Sequence, residues 1–156
     1  MKIRAWFAAL LLATPAAFAH PAPNSVMKIE FQADRVRAEY WVPVSELEYA
    51  RAADPAGREY AAYLLRHVAA ETEGGARWRV AVQAVREAEY LGHAYLVAEL
   101  TFDPPPVTPL EEFVLVDDVV THEVRNHIVY VVTRRGAENA LVGALQYPAR
   151  RLVVTR

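Results

Sequence analysis

The sequence predicts a mainly β protein: an antiparallel β-sandwich of about seven strands with one helical insertion. Three observations carry this: short segments whose apolar residues alternate with period two, turn residues at hairpin spacing between them, and one internal stretch with a helical period. The 156 residues include no cysteine, are 54% apolar and have a net charge of −2, which excludes a disulfide scaffold, a thiolate metal site and a disordered chain. Residues 1–19 hold Lys2 and Arg4 and no acid, so the other 137 carry 15 basic against 19 acidic side chains. Phosphate neutralisation needs a clustered positive surplus, so no nucleic-acid partner is expected.

Met1 to Ala19 reads as a signal peptide: Lys2 and Arg4 open it, Ala5 to Ala13 form a short apolar core, and Ala17-Phe18-Ala19 ends in small residues at the cleavage positions. That core is shorter than the roughly 20 residues of a spanning helix, and no other segment comes close. The mature chain, residues 20–156, is therefore expected to be one soluble domain, periplasmic or secreted, with no transmembrane segment.

Residues 20 to 25, His-Pro-Ala-Pro-Asn-Ser, form an extended lead-in because proline disfavours a helix there. Met27, Ile29, Phe31 and Ala33 then alternate with Lys28, Glu30, Gln32 and Asp34, the pattern of a half-buried strand. After a turn near Ala33-Asp34, a second strand points Val36, Ala38, Tyr40 and Val42 inward and ends at Pro43. Between Val44 and Glu71 the period is helical: Ser45 can cap a short turn, and Asp54-Pro55 suits the start of a longer helix to about Glu71, with Gly74-Gly75 as terminator. Its apolar stripe is Tyr60, Tyr63, Leu64, His67 and Val68. Strand signals return at Trp78 to Val82 and Leu96 to Phe102, joined near Gly92-His93. After a stiff loop at Pro104 to Pro109, three more strands follow at Phe113–Thr121, Ile128–Thr133 and Leu152–Thr155.

Cleavage after Ala19 would leave His20 as the first residue, with a free α-amine beside its imidazole, and two such nitrogens chelate one metal ion. Pro21 has no backbone N–H, which removes the peptide-nitrogen binding mode of unstructured termini, so a strong site must recruit ligands from elsewhere in the fold. The segment Asp117-Asp118-Val119-Val120-Thr121-His122-Glu123-Val124-Arg125-Asn126-His127 offers them. On a strand, Asp118 and His122 share a face; with Glu123 to Asn126 as a loop, His122 and His127 become cross-strand partners whose Cβ atoms are about 4.5–5.5 Å apart. Two imidazoles and a carboxylate suit copper, nickel or zinc. His67 is an auxiliary candidate, although a histidine on an apolar stripe is also a common core residue. His93 reads as a solvent-exposed turn residue, and Asp117 points away from Asp118. Nucleophilic catalysis has no support: there is no cysteine, no G-x-S-x-G and no glycine-rich phosphate loop, and Asn126 stands where H-E-x-x-H needs its second histidine.

The start His20-Pro21-Ala22-Pro23-Asn24-Ser25, the stretch Tyr63 to His67, Trp78 and the Asp118 to His127 segment together resemble the extracytoplasmic N-terminal domain of HupE/UreJ-like membrane proteins. The resemblance covers nearly all of the mature chain and implies an association with nickel and related transition metals, with His20, His67, Asp118, His122 and His127 at the matching positions. With no multi-helix membrane portion in these 156 residues, it implies a stand-alone soluble form that captures, buffers or delivers a metal, with a membrane transporter as a candidate partner. The leading histidine after an Ala-x-Ala site also looks like the histidine brace of CopC-like copper carriers and lytic polysaccharide monooxygenases.

The expected function is therefore exported transition-metal binding, copper or nickel, through His20, His122 and His127 with Asp118 as ligand or orienting group, and without catalysis. An interaction module anchored by Trp41, Tyr49 and Tyr147 is a second reading. A copper oxidase or monooxygenase is a third, for which the sequence shows no substrate platform.

Overall fold

Alternating burial runs through the strands as the sequence pattern demands. In β1 (Ser25–Phe31) and β2 (Val36–Pro43), Met27, Ile29, Val36, Ala38, Tyr40 and Val42 are buried, while Lys28, Glu30 and Arg37 face outward. The computed structural model describes residues 23–50, 58–136 and 138–156. The expected signal segment 1–19, His20 and the Asp54-Pro55 cap lie outside the described residues.

Beyond β2 come α1 (Val44–Tyr49), α2 (Arg58–His67), β3 (Val68–Glu71), β4 (Arg79–Tyr90), β5 (His93–Asp103), β6 (Glu112–Asp117), β7 (Val129–Arg135), β8 (Glu138–Leu145) and β9 (Arg151–Thr155). A six-stranded sheet has the order β4-β5-β2-β1-β7-β8, and a three-stranded sheet the order β3-β6-β9. This is a mainly β, two-sheet architecture with a helical insertion between β2 and β3. One pairing departs from the antiparallel expectation: β1 and β7 run parallel, from Ser25 opposite Val129 to Ile29 opposite Thr133. The two strands are almost a hundred residues apart in sequence, so no hairpin constrains their direction.

Four local expectations are corrected. The longer helix stops at His67 instead of Glu71, because Val68 and Ala70 turn inward in β3 and pair with β6; sheet pairing overrides the helical period. Ser45 lies inside α1, whose N-cap is Pro43 and has no side-chain cap bond. Strand β6 ends at Asp117, four residues short of Thr121. Strand β8 carries no alternation that would announce it, since Ala140, Gly143 and Ala144 are weak strand formers, and it forms by pairing with β7 at the sheet edge.

Between the sheets, Phe113 of β6 lies 1% exposed with its ring 6.0 Å from Phe31, 5.2 Å from Trp78 and 5.8 Å from Phe102, centroid to centroid. Tyr60, Tyr63 and Leu64 of α2 join this core and close the end of the sandwich near the β6 C-terminus. The outward face of the large sheet is laced by cross-strand ion pairs, Lys28 to Glu39 at 3.5 Å and Arg37 to Glu99 at 3.4 Å. Phe113→Ala should cost about 3–5 kcal/mol in urea unfolding, the range for an aromatic truncated in a core. A loss under about 1 kcal/mol would mean that this ring cluster does not join the sheets.

Candidate metal centre

Backbone register brings the site together. Val68 of β3 stands opposite Asp117 of β6, and one step further the Asp118 N–H donates to the His67 carbonyl at 3.1 Å. Side chains alternate, so Asp117 is fully buried and Asp118 faces outward. His67, the last residue of α2, is thereby set beside Asp118, and its Nδ1 donates to Asp118 Oδ1 at 2.8 Å.

After Asp118 the chain does not continue as a strand. The Thr121 N–H reaches the Val119 carbonyl at 2.6 Å, with Val120 between them at a φ of 62°. This is a γ-turn with positive φ, a conformation costly for a β-branched residue. The turn is held from inside, because Val119 and Val120 are buried and the Val120 N–H donates to the Tyr63 hydroxyl at 2.8 Å. It returns His122 over Asp118: the His122 N–H and Nδ1 both meet the Asp118 carbonyl, at 3.1 Å and 2.8 Å. Asp118 and His122 do share a face, but through a helix-like i, i+4 turn instead of strand alternation.

A carboxylate and a carbonyl only accept hydrogen bonds, so Nδ1 carries a proton in both imidazoles, and Nε2 is the nitrogen that holds the lone pair in the neutral ring. The rings are stacked, with centroids 4.2 Å apart and planes 19° apart, and the Tyr63 ring lies 4.6 Å from that of His67. His67, Asp118 and His122 each offer a ligand atom, all within 4.8 Å of one another. Bonds of about 2.0–2.1 Å let one ion join nitrogens up to about 4.2 Å apart, a span close to that of this group. The His67 and Asp118 side chains are 21% and 23% exposed, reachable but partly shielded from water. Arg150 completes the ring of partners, its Nη1 3.3 Å from Asp118 Oδ2.

The other candidates sit elsewhere. His127 is buried, sharing a 2.8 Å hydrogen bond through Nε2 with Ser25 Oγ; its Nδ1 lies 3.3 Å from Glu46 Oε2, too poorly aligned for a hydrogen bond. It is not the cross-strand partner of His122, because residues 118 to 127 form successive turns before β7 begins. His20 lies outside the described residues. Among the described residues, Asn24 and Ser25 meet the far end of this connection: Ile128 receives the Ser25 N–H on its carbonyl at 3.0 Å and donates its own N–H to Asn24 Oδ1 at 3.3 Å. His93 begins β5 beside the Leu91-Gly92 turn and is half-buried. Trp41 is half-buried, whereas Tyr49 and Tyr147 are exposed.

Sequence reasoning did not find Arg150 or Tyr63 as parts of this site. Tyr63 stood in the helix stripe as a core residue, and its polar tip had no visible target. Burial pushes the Asp117 carboxyl up to about 7, opposed by the Val119 N–H that Oδ1 accepts at 2.8 Å. Its Oδ2 and the Tyr40 and Tyr60 hydroxyls make no well-aligned hydrogen bond, although the Tyr40 hydroxyl is near enough to Asp117 to oppose part of that rise. Comparison of the chain with protein-family models and with curated proteins finds no match.

Burial also pushes the His127 imidazole down to about 4. A histidine kept neutral in the fold costs stability as pH falls below its unfolded value, because the unfolded chain takes up the proton first. The shift corresponds to about 3 kcal/mol, lost progressively from about pH 6.5 to pH 4. Burial raises the neighbouring Glu46, which takes up its proton in the fold and works in the opposite sense, so the contribution is read by difference. Relative to His127→Gln, the wild type should lose stability over that window in chemical denaturation; parallel pH profiles would contradict it.

Proposed function

We propose that this protein is an exported transition-metal-binding protein that captures, buffers or delivers copper or nickel, with zinc as a weaker alternative. The observation that carries the reading is the pinning of two imidazoles by one residue. Asp118 holds Nδ1–H of His67 with its carboxylate and Nδ1–H of His122 with its carbonyl, which presents two Nε2 lone pairs on neighbouring rings. Metal-ligating histidines use this arrangement, in which the partner of the distal N–H fixes the tautomer and raises ligand basicity. Imidazole donors favour copper, nickel and zinc over calcium and magnesium, which demand more oxygen ligands. In this reading His20, freed by cleavage after Ala19, supplies an amine and a further imidazole, and the docking of Asn24 and Ser25 against residues 127 and 128 supports its approach to the same connection.

Copper and nickel titrations of protein starting at His20 test this. Asp118→Ala should weaken binding about 10–100-fold, the range for loss of a group that orients a ligand, and His67→Ala or His122→Ala should weaken it at least as much. Wild-type affinity in all three variants, with the fold intact, would defeat the reading. One extra residue before His20 turns the amine into an amide and should reduce copper affinity further; unchanged affinity would remove His20 and leave the three-residue centre.

A further inference from the structure

The proposed centre opens onto a cleft of about 300 Å³ lined by Asp118, Thr121, His122, Tyr147, Pro148, Ala149 and Arg150. Two imidazole nitrogens, with or without a carboxylate oxygen, leave a copper or nickel ion short of its usual four or more ligands. The positions that His20 does not take are filled from the open side. Arg150 is the cation of that lining, with Nη1 on Asp118 Oδ2 at 3.3 Å and a side chain 64% exposed, and the Arg125 guanidinium lies 4.6 Å over the ring of Tyr147, another lining residue. An arginine fork has five N–H donors, so Arg150 keeps a free edge matching a planar carboxylate. Binding a divalent ion adds two positive charges beside this arginine, whereas Asp118 alone supplies only one negative charge, so the loaded mouth favours an anion.

We infer that the centre takes its metal as a chelate with a small carboxylate ligand, one carboxylate group of which docks on the free edge of Arg150. This rests on the reading of His67, Asp118 and His122 as a metal centre. Arg150 is a specificity residue for the chelate and not a ligand of the ion. Tyr147, stacked under Arg125, forms the apolar wall against which the chelate's carbon skeleton lies.

The test is equilibrium dialysis of the exported protein with radiolabelled citrate, with and without nickel, in wild type and in Arg150→Gln. Citrate should bind one to one only with nickel present, and Arg150→Gln should weaken that association about tenfold, the loss of one charge-assisted fork, while nickel affinity measured without citrate should not fall, because the substitution removes a cation from beside Asp118. Nickel binding without citrate uptake, or equal uptake by the variant, overturns the inference and leaves the metal-binding function standing. Loss of nickel itself in Arg150→Gln also overturns it, since the arginine would then act on the metal ligands. If wild type takes up no nickel under either condition, the functional reading falls, and this inference with it.

Discussion

Asp118 is the residue on which the site depends. Its N–H donates to the His67 carbonyl, one carboxylate oxygen accepts His67 Nδ1, the other faces Arg150, and its carbonyl accepts both the N–H and Nδ1 of His122. A single residue thus fixes the position, ring orientation and tautomer of two histidines more than fifty residues apart in sequence. This works only because β6 stops at Asp117 and the chain folds back at once. The fold-back needs Val120 at positive φ, an arrangement that costs on the order of 1–3 kcal/mol. Burial of Val119 and Val120 and the Tyr63 hydroxyl on the Val120 N–H offset that strain. Strain held at this point is consistent with a segment shaped by what its side chains must meet.

The connection from 118 to 127 has a polar anchor at each end, of opposite character. At its start, outward-facing Asp118 serves the two accessible imidazoles. At its end, His127 is buried beside Ser25 and Glu46, and its hydrogen bond to Ser25 ties the beginning of β1 to the turn before β7. The same residue type therefore does two kinds of work. The His127 ring is buried in the core with its Nε2 engaged by Ser25, out of reach of the outer cluster, while the His67 and His122 rings stand at the accessible face. Beneath the outer cluster, the Asp117 carboxyl and the Tyr40 and Tyr60 hydroxyls lie buried in the core, with Asp117 and Tyr40 near enough to influence each other, directly behind the residue that organises the site.

Much of the two-sheet fold was legible because it rests on period-two burial, which is local. Met27, Ile29, Ala38, Tyr40, Leu100 and Phe102 all face inward where alternation put them. Strands β3 and β8 were not legible, since Val68-Ala69-Ala70-Glu71 continues a helical stripe and Ala140 to Ala144 has little strand character; both exist because a partner strand lies alongside. The proximity of Asp118 and His122 was readable from their spacing of four, which puts residues on one face of either a strand or a helical turn. The spacing could not choose between them, and assuming a strand carried His127 into the same cluster. The role of His67 was hidden by extending its helix to Glu71: only when the helix ends at His67 and β3 pairs with β6 does that ring stand beside Asp118. Arg150 arrives from the turn before β9, a contact no local pattern encodes.

The central claim is that Asp118 holds His67 and His122 in the Nδ1–H form with Nε2 open to a metal. Nitrogen-15 NMR of the histidine side chains reads this directly in metal-free protein at neutral pH. The account predicts a protonated Nδ1 and an unprotonated Nε2 for both residues, and selective perturbation of those two Nε2 signals by substoichiometric copper or nickel. Protonated Nε2 in both rings, or metal perturbation confined to other histidines, would contradict it.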